Sequence, residues 1–141
     1  MPVVAPKPRV LIFIVAYEAE TTIAGVLRRI PAELMNAYGI ECLVIDDCSG
    51  DATFEKSRAV GDLPFPVTVL YNPVNQGYGG NQKIGYHYAI RKGFDFVALL
   101  HGDGQYAPEC LPELLEPLRQ GQADAVFGSR MLVKGAARRG G

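Results

Sequence analysis

The sequence lacks tryptophan, long apolar runs and a cysteine framework, and these shortages exclude several classes of protein. Its longest apolar run, residues 10–16, is seven residues long, far short of the roughly 20 that a membrane-spanning helix needs. The first nine residues hold three prolines and no apolar stretch of signal-peptide length, so we do not expect export. Three cysteines (Cys42, Cys48, Cys110) without metal-ligand spacing favour packed, reduced thiols and a cytoplasmic location.

The sequence also lacks an excess of charge of either sign. Fourteen Lys and Arg residues balance fifteen Asp and Glu residues, which leaves a net charge of −1. This balance gives no electrostatic reason to expect a nucleic-acid partner. The chain has 141 residues, of which 48% are hydrophobic and 21% charged, a composition typical of one globular domain and unlike disordered, collagenous or coiled-coil chains.

Five short apolar runs rich in Val, Ile, Leu and Phe do not alternate with polar residues. Such runs are typical of strands buried on both faces of a mainly parallel sheet. They are Val10–Ala16, Cys42–Ile45, Val67–Leu70, Phe96–Leu100 and Ala123–Phe127. The sequence therefore predicts an α/β fold of about five mainly parallel strands with helices on both faces.

Helical patterns separate these runs. Apolar residues repeat at i, i+3, i+4 and i+7 over 23–30 and again over 111–118, which marks one buried helix face in each segment. We expect Thr21 or Thr22 to cap the first helix, and Gly39 to close a continuation over 32–38. Further helices are predicted from Asp51 through 58 and over 79–92, and Pro117 should bend or shorten the last helix.

Polar residues follow every apolar run. In an open α/β sheet, ligands bind at the carboxyl ends of the strands, so these residues predict a polar ligand site at one edge. The sets are Tyr17 and Glu18, Asp46 and Asp47, Asn75–Asn81, His101–Gln105, and Arg130. Taken singly, each has a plainer interpretation: an aspartate pair starts turns, glycines mark loops, and Tyr17 or Tyr106 simply packs.

His101, Asp103 and Gln105 form the more specific pattern. Alternate side chains of extended backbone share a face, so these three can point at one ion. Imidazole, carboxylate and amide oxygen suit Mn²⁺ or Mg²⁺ completed by water and phosphate oxygens. His87, within a predicted helix, is interpreted as structural.

Three other nucleotide folds fit poorly. A dinucleotide-binding domain needs glycines directly after the first strand, where this chain reads Val15-Ala-Tyr-Glu-Ala-Glu20. No P-loop pattern occurs. A phosphoacceptor receiver domain would carry its acidic pair after the first strand and another aspartate after the third.

Five motifs in order resemble the family-2 glycosyltransferases of the GT-A fold, specifically the polyprenyl-phosphate (dolichyl-phosphate mannose synthase-like) branch. They span about 120 residues. The matching segments are Leu11–Glu18, Leu43–Thr53, Asn75–Asn81, Leu99–Glu109 and Ala123–Arg130.

The resemblance implies roles for individual residues. The residues implied to bind nucleotide are Ala16, Tyr17, Glu18, Ile45, Asp46, Asp47, Gly77, Gly79 and Gly102. Asp103 takes the metal-binding and catalytic aspartate role, with Gln105 and His101 as further metal ligands. Arg130 takes the role of a catalytic cation that contacts phosphate. Two departures matter: His101 stands where the family's D-x-D motif has its first carboxylate, and the sequence ends soon after Arg130, where family members continue with the acceptor-side half of the domain.

The implied activity is inverting transfer of a sugar from a UDP- or GDP-sugar to a polyprenyl phosphate or sugar acceptor, with Mg²⁺ or Mn²⁺ as cofactor. The implied organisation is a tail over 1–9, a donor-binding domain over 10–131 that lacks the acceptor half, and a flexible tail over 132–141. Membrane association would come only from segments outside this chain, at the cytoplasmic face.

The alternative function is a nucleotide-sugar-binding module without catalysis. A sugar-nucleotide pyrophosphorylase would need a Gly- and Arg-rich loop after the first strand. The acceptor and the oligomeric state are left open.

Overall fold

A computed structural model describes residues 6–122, and its four strands form one parallel sheet. The strands are β1 (Arg9–Ala16), β2 (Gly39–Asp46), β3 (Val67–Tyr71) and β4 (Phe96–His101), in the spatial order β3-β2-β1-β4. The predicted α/β class with a parallel sheet is confirmed. The fifth predicted strand, residues 123–127, lies outside the described residues.

Helices follow each strand. They are α1 (Ile23–Arg28), α2 (Thr53–Ala59), α3 (Gly77–Arg91) and α4 (Leu111–Arg119), with 3₁₀ turns at Ala32–Asn36 and Pro108–Cys110. None of these helices is long and apolar enough to cross a bilayer. Helix α4 continues through Pro117 to Arg119.

Two local predictions are wrong. The segment after α1 is a 3₁₀ turn, and Gly39 does not close a helix but begins β2, where its N–H donates to the carbonyl of Pro8 at 2.9 Å. Thr22 precedes α1 without a side-chain capping bond. Its hydroxyl donates instead to the carbonyl of Gly102 at 2.6 Å, which directs the side chain towards the loop after β4.

Strand β1 lies at the centre of the core, and its residues from Val10 to Ala16 are all buried. Because alternate residues face opposite sides of a sheet, Val10, Ile12 and Ile14 pack with α1 and α4. Leu11, Phe13 and Val15 face the other side, towards α3. Helices therefore cover both faces, as predicted.

The register of the sheet brings three carboxyl ends together. Ala16 of β1 pairs with Asp46 of β2, and Val15 pairs with His101 of β4. The residues that follow these strands consequently meet at one edge, the position where parallel α/β sheets bind ligands.

Candidate active site

A cavity of about 370 Å³ opens at this edge of the sheet. The ends of β1, β2 and β4 form its floor, and the loop and first turn of α3 form one wall. Its lining residues are Val15, Ala16, Tyr17, Asp47, Asn75, Gly77, Tyr78, Asn81, His101, Gly102 and Asp103. Seven of the residues predicted from the sequence to bind nucleotide or metal thus line the cavity, and they come from four separate segments: Ala16, Tyr17, Asp47, Gly77, His101, Gly102 and Asp103.

Asp47 connects β2 to the loop before α3. Its Oδ1 accepts hydrogen bonds from Asn72 Nδ2 at 3.0 Å and from the Gln76 N–H at 2.7 Å, and Asn75 Nδ2 donates to its carbonyl at 3.0 Å. The side chain is 5% exposed. This carboxylate therefore shapes the loop as well as lining the cavity.

Asn81 belongs to the same network, a role that its place in the segment Asn75–Asn81 did not predict. It is 2% exposed, donates from Nδ2 to the carbonyl of Ile45 at 3.2 Å and accepts from Asn72 Nδ2 at 3.3 Å. A polar residue at a buried position in the first turns of a predicted helix is a pattern that could have identified it. Ile45 thereby enters the site through its backbone carbonyl.

Asp46 and Glu18 lie outside this cavity. Asp46 Oδ1 accepts from the N–H and the hydroxyl of Ser49, at 3.0 and 2.6 Å, and the residue lines a second cavity of about 300 Å³ with Phe54 and Tyr71. Glu18 Oε1 accepts from the N–H of Gly50 at 3.1 Å. The adjacent aspartates face different cavities because successive side chains of an extended segment point to opposite sides.

The loop after β4 lies close to β1 at Gly102. The Gly102 N–H donates to the carbonyl of Val15 at 2.9 Å. A Cβ at position 102 would lie 3.2 Å from Ala16 Cβ and 3.3 Å from Ile23 Cδ1. Glycine lets this backbone approach the floor of the cavity.

His101 is held between two tyrosines. Its ring stacks on Tyr78, with centroids 5.2 Å apart and planes inclined at 21°, and it meets Tyr106 at 4.9 Å. Tyr78 Oη lies 3.1 Å from His101 Nε2. Burial lowers the pKa of His101, and the nearby Asp103 carboxylate partly opposes this effect. The neutral imidazole is therefore favoured.

Of the predicted metal ligands Asp103 and Gln105, only Asp103 lines the cavity. Asp103 lines it, and its Oδ1 accepts the N–H of Gln105 at 3.0 Å, whereas the exposed Gln105 is not among the lining residues. Within residues 6–122, no group of three or more His, Cys, Asp or Glu side chains is arranged to hold a metal ion.

The first turn of α3 faces the cavity through Gly77, Tyr78 and Asn81. Gly77 has φ +74°, a conformation that glycine adopts without steric cost. The N–H groups of Gln76 and Gly77 already donate to Asp47 Oδ1 and Asn75 Oδ1, so the helix dipole is what favours an anion at this end. Gly79, two residues after Gly77 in α3, does not line the cavity.

The profile of the family described as Glycosyl transferase family 2 matches residues 11–140. The chain belongs to glycosyl transferase family 2. The match includes Arg130, which lies outside the described residues.

Individual relatives agree with this assignment. The chain is 37% identical over 97 residues to an undecaprenyl-phosphate mannosyltransferase from Micrococcus luteus, covering 67% of this chain and 38% of the relative. It is 29% identical over 137 residues to a polyprenol monophosphomannose synthase from Mycolicibacterium smegmatis, covering 96% of this chain and 50% of the relative. The chain thus spans half or less of the length of these two relatives.

The fold is also similar to that in the crystal structure of S. aureus TarS. The TM-score is 0.57 and the sequence identity 18%, over 89% of this chain and 24% of that one. This similarity supports the assignment of the fold as a GT-A-type α/β sheet.

Proposed function

We propose that this chain is the donor-binding part of a glycosyltransferase that transfers a sugar from a nucleotide-diphosphate sugar to a polyprenyl phosphate. The observation that carries the proposal is the cavity where the ends of β1, β2 and β4 meet the first turn of α3. Family membership supports sugar transfer, and two relatives named for mannose transfer to a polyprenyl carrier support the acceptor.

The cavity offers a suitable group for each part of the donor. Tyr17 lines it while 55% exposed, so its ring is available to stack on a uracil or guanine base. The Asp47 carboxylate is an acceptor for base N–H or ribose hydroxyl groups. The positive end of the α3 dipole favours the diphosphate. Ala16, Gly77 and Gly102 leave room for the ligand.

Asp103 fits Mg²⁺ or Mn²⁺. Mg²⁺ is commonly bound through one or two carboxylates with substrate phosphates and waters, and Asp103 presents such an oxygen ligand at the cavity. When bound, the ion would neutralise charge that develops on the leaving diphosphate. Gln105 fixes the Asp103 carboxylate through its backbone N–H and in our proposal is a supporting residue.

In the reaction, an acceptor phosphate oxygen attacks the anomeric carbon as the bond to the diphosphate breaks on the opposite face. This displacement inverts the configuration. A phosphate oxygen is already ionised at neutral pH and needs no general base, whereas a sugar hydroxyl acceptor would need one. We assign Arg130 to the phosphate charge. The transfer would take place at the cytoplasmic face of a membrane that holds the polyprenyl carrier.

Calorimetry with UDP- and GDP-sugars, with and without Mn²⁺, tests donor binding directly. We expect one nucleotide-sugar to bind, more tightly with Mn²⁺. The full-length protein should then transfer sugar to a polyprenyl phosphate. Absence of binding for every donor would reject the proposal. Binding without transfer by the full-length protein would favour the alternative, a nucleotide-sugar-binding module without catalysis.

A further inference from the structure

The loop after β1 is bonded to the loop after β2 along three successive residues. The N–H groups of residues 18, 19 and 20 each donate to a side-chain oxygen of the second loop. The acceptors are Ser49 Oγ and Thr53 Oγ1, each at 2.8 Å, and Asp51 Oδ2 at 3.3 Å. Because these three N–H groups already have acceptors, they are not available to a ligand.

Two carboxylates of the first loop bond to the second loop in the opposite direction. Glu18 Oε1 accepts from the N–H of Gly50, and Glu20 Oε2 accepts from the N–H of Ala52, both at 3.1 Å. Glu18 has φ +51°, a left-handed conformation that residues other than glycine keep only where the surroundings enforce it. Here the bonds to its N–H and to its side chain supply that constraint.

The buried Ser49 connects this contact to the end of β2. It is 9% exposed, and its hydroxyl donates to Asp46 Oδ1 at 2.6 Å. Since an N–H group can only donate, Ser49 Oγ accepts from Glu18 and directs its own proton to the carboxylate. Asp46, which the resemblance implies as a nucleotide ligand, thus acts on Ser49 in the structure.

Tyr17 lies between two fixed neighbours. Ala16 before it pairs with Asp46 in the sheet, and Glu18 after it is bonded to Ser49 and Gly50. The ring of Tyr17 itself lines the cavity and is 55% exposed. The backbone on both sides of Tyr17 is therefore held, while its ring remains accessible to a ligand.

We propose that Ser49 and Glu18 are positioning residues that hold Tyr17 against the base of the bound nucleotide and do not touch the nucleotide themselves. A ring that is already in place loses less conformational freedom when the ligand binds. The Glu18 carboxylate serves as the acceptor for Gly50, so its charge is not required. This role rests on the proposed function of the cavity.

Two exchanges of Glu18 separate a positioning role from direct contact with the nucleotide. Glu18→Gln keeps an oxygen for the Gly50 N–H and removes the charge, whereas Glu18→Ala removes both. Calorimetry with UDP and GDP in the presence of Mn²⁺ should show affinity within about twofold of the unsubstituted chain for Glu18→Gln, and a loss of about three- to tenfold for Glu18→Ala. Equal losses in the two variants, or no loss in Glu18→Ala, would overturn the proposal.

The mobility of residue 17 can be measured without any ligand. The sequence has no tryptophan, so Tyr17→Trp introduces a single indole whose time-resolved fluorescence anisotropy reports its nanosecond motion. Adding Ser49→Ala should increase the amplitude of that motion, because the N–H of Glu18 loses its acceptor.

Ser57→Ala is the matched control in the Tyr17→Trp chain. Ser57 is also a buried serine, at 2% exposed, but its hydroxyl donates to the carbonyl of Thr53 at 2.7 Å within α2. Its removal should leave the motion of the indole unchanged. The proposal is overturned if Ser49→Ala and Ser57→Ala give the same anisotropy.

The two measurements distinguish failure of this role from failure of the proposed function. If the unsubstituted chain binds neither UDP nor GDP, the proposed function fails, and the anisotropy comparison still decides whether Ser49 holds residue 17. If nucleotide binds and the anisotropy is the same in both serine variants, donor binding stands and the positioning role is wrong. Because Glu18 is exposed, its variants test the role even if Ser49→Ala does not fold.

Discussion

Gly85 of α3 lies directly against the ring of Phe13 in β1: a Cβ at position 85 would be 2.1 Å from Phe13 Cε2. Phe13 is fully buried and cannot move without disturbing the core. The contact therefore sets how closely α3 approaches the sheet. Since the first turn of the same helix lines the cavity, the close approach also places Gly77 and Tyr78 at the site.

Gly85→Ala should destabilise the protein by about 3 kcal/mol, because overpacking a well-filled core forces side chains and backbone to shift. Gly25→Ala is the matched control: no atom lies within 4 Å of a Cβ built at this helical position, so the exchange should stabilise the fold by about 0.5–1 kcal/mol. Urea denaturation of both variants measures the two effects. Equal stability of the pair would contradict the close packing.

The neighbouring residues Asp46 and Asp47 should differ in their effect on donor binding. Asp47→Asn keeps an oxygen for Asn72 and Gln76 but removes the charge that faces the cavity, so we expect nucleotide affinity to fall about tenfold. Asp46→Asn alters the second cavity and should leave affinity within about twofold. Calorimetry below the unfolding temperature measures both. A larger loss for Asp46→Asn would assign the nucleotide to the other cavity.

Asp103→Asn should remove the gain in nucleotide affinity that Mn²⁺ provides, since an amide oxygen is a much weaker ligand for a hard divalent cation than a carboxylate. Affinity without metal should change little. Asp62→Asn serves as control: Asp62 is exposed and has φ +61°, a conformation that asparagine tolerates. A full Mn²⁺ effect in the Asp103 variant would disprove the metal assignment.

The three thiols should react at different rates. Burial raises the pKa of Cys42 strongly, so little thiolate forms and reagent cannot reach it. Cys110 is exposed and Cys48 half-buried. A colorimetric thiol reagent should therefore modify two thiols in the folded protein and a third only after unfolding. Cys42→Ser should keep the native count at two, and a count of one would show that Cys42 is reactive.

The fold was largely predictable because its evidence is local. Each described strand coincides with an apolar run, and the 3.6-residue periodicity over 23–30 and 111–118 identified α1 and α4. The wrong predictions concern helix ends. Thr22 donates to the carbonyl of Gly102 in a distant loop and makes no cap for α1. Gly39 begins a strand because it pairs with Arg9 of β1 and its N–H donates to the carbonyl of Pro8. Such partners depend on the tertiary structure.

The sequence by itself determined which chemical groups gather at the carboxyl edge, because strand order along the chain and parallel pairing place those residues there. Only the tertiary structure decided which of these groups face the cavity and which bond to other residues. Asp47 faces the cavity while Asp46 bonds to Ser49, and His101 turns to Tyr78 while Asp103 stays exposed at the cavity. The physical reason is that alternation along the chain separates neighbours such as Asp46 and Asp47, but the packing of α3 against the sheet decides which side carries the cavity and which hydrogen-bond partners are within reach.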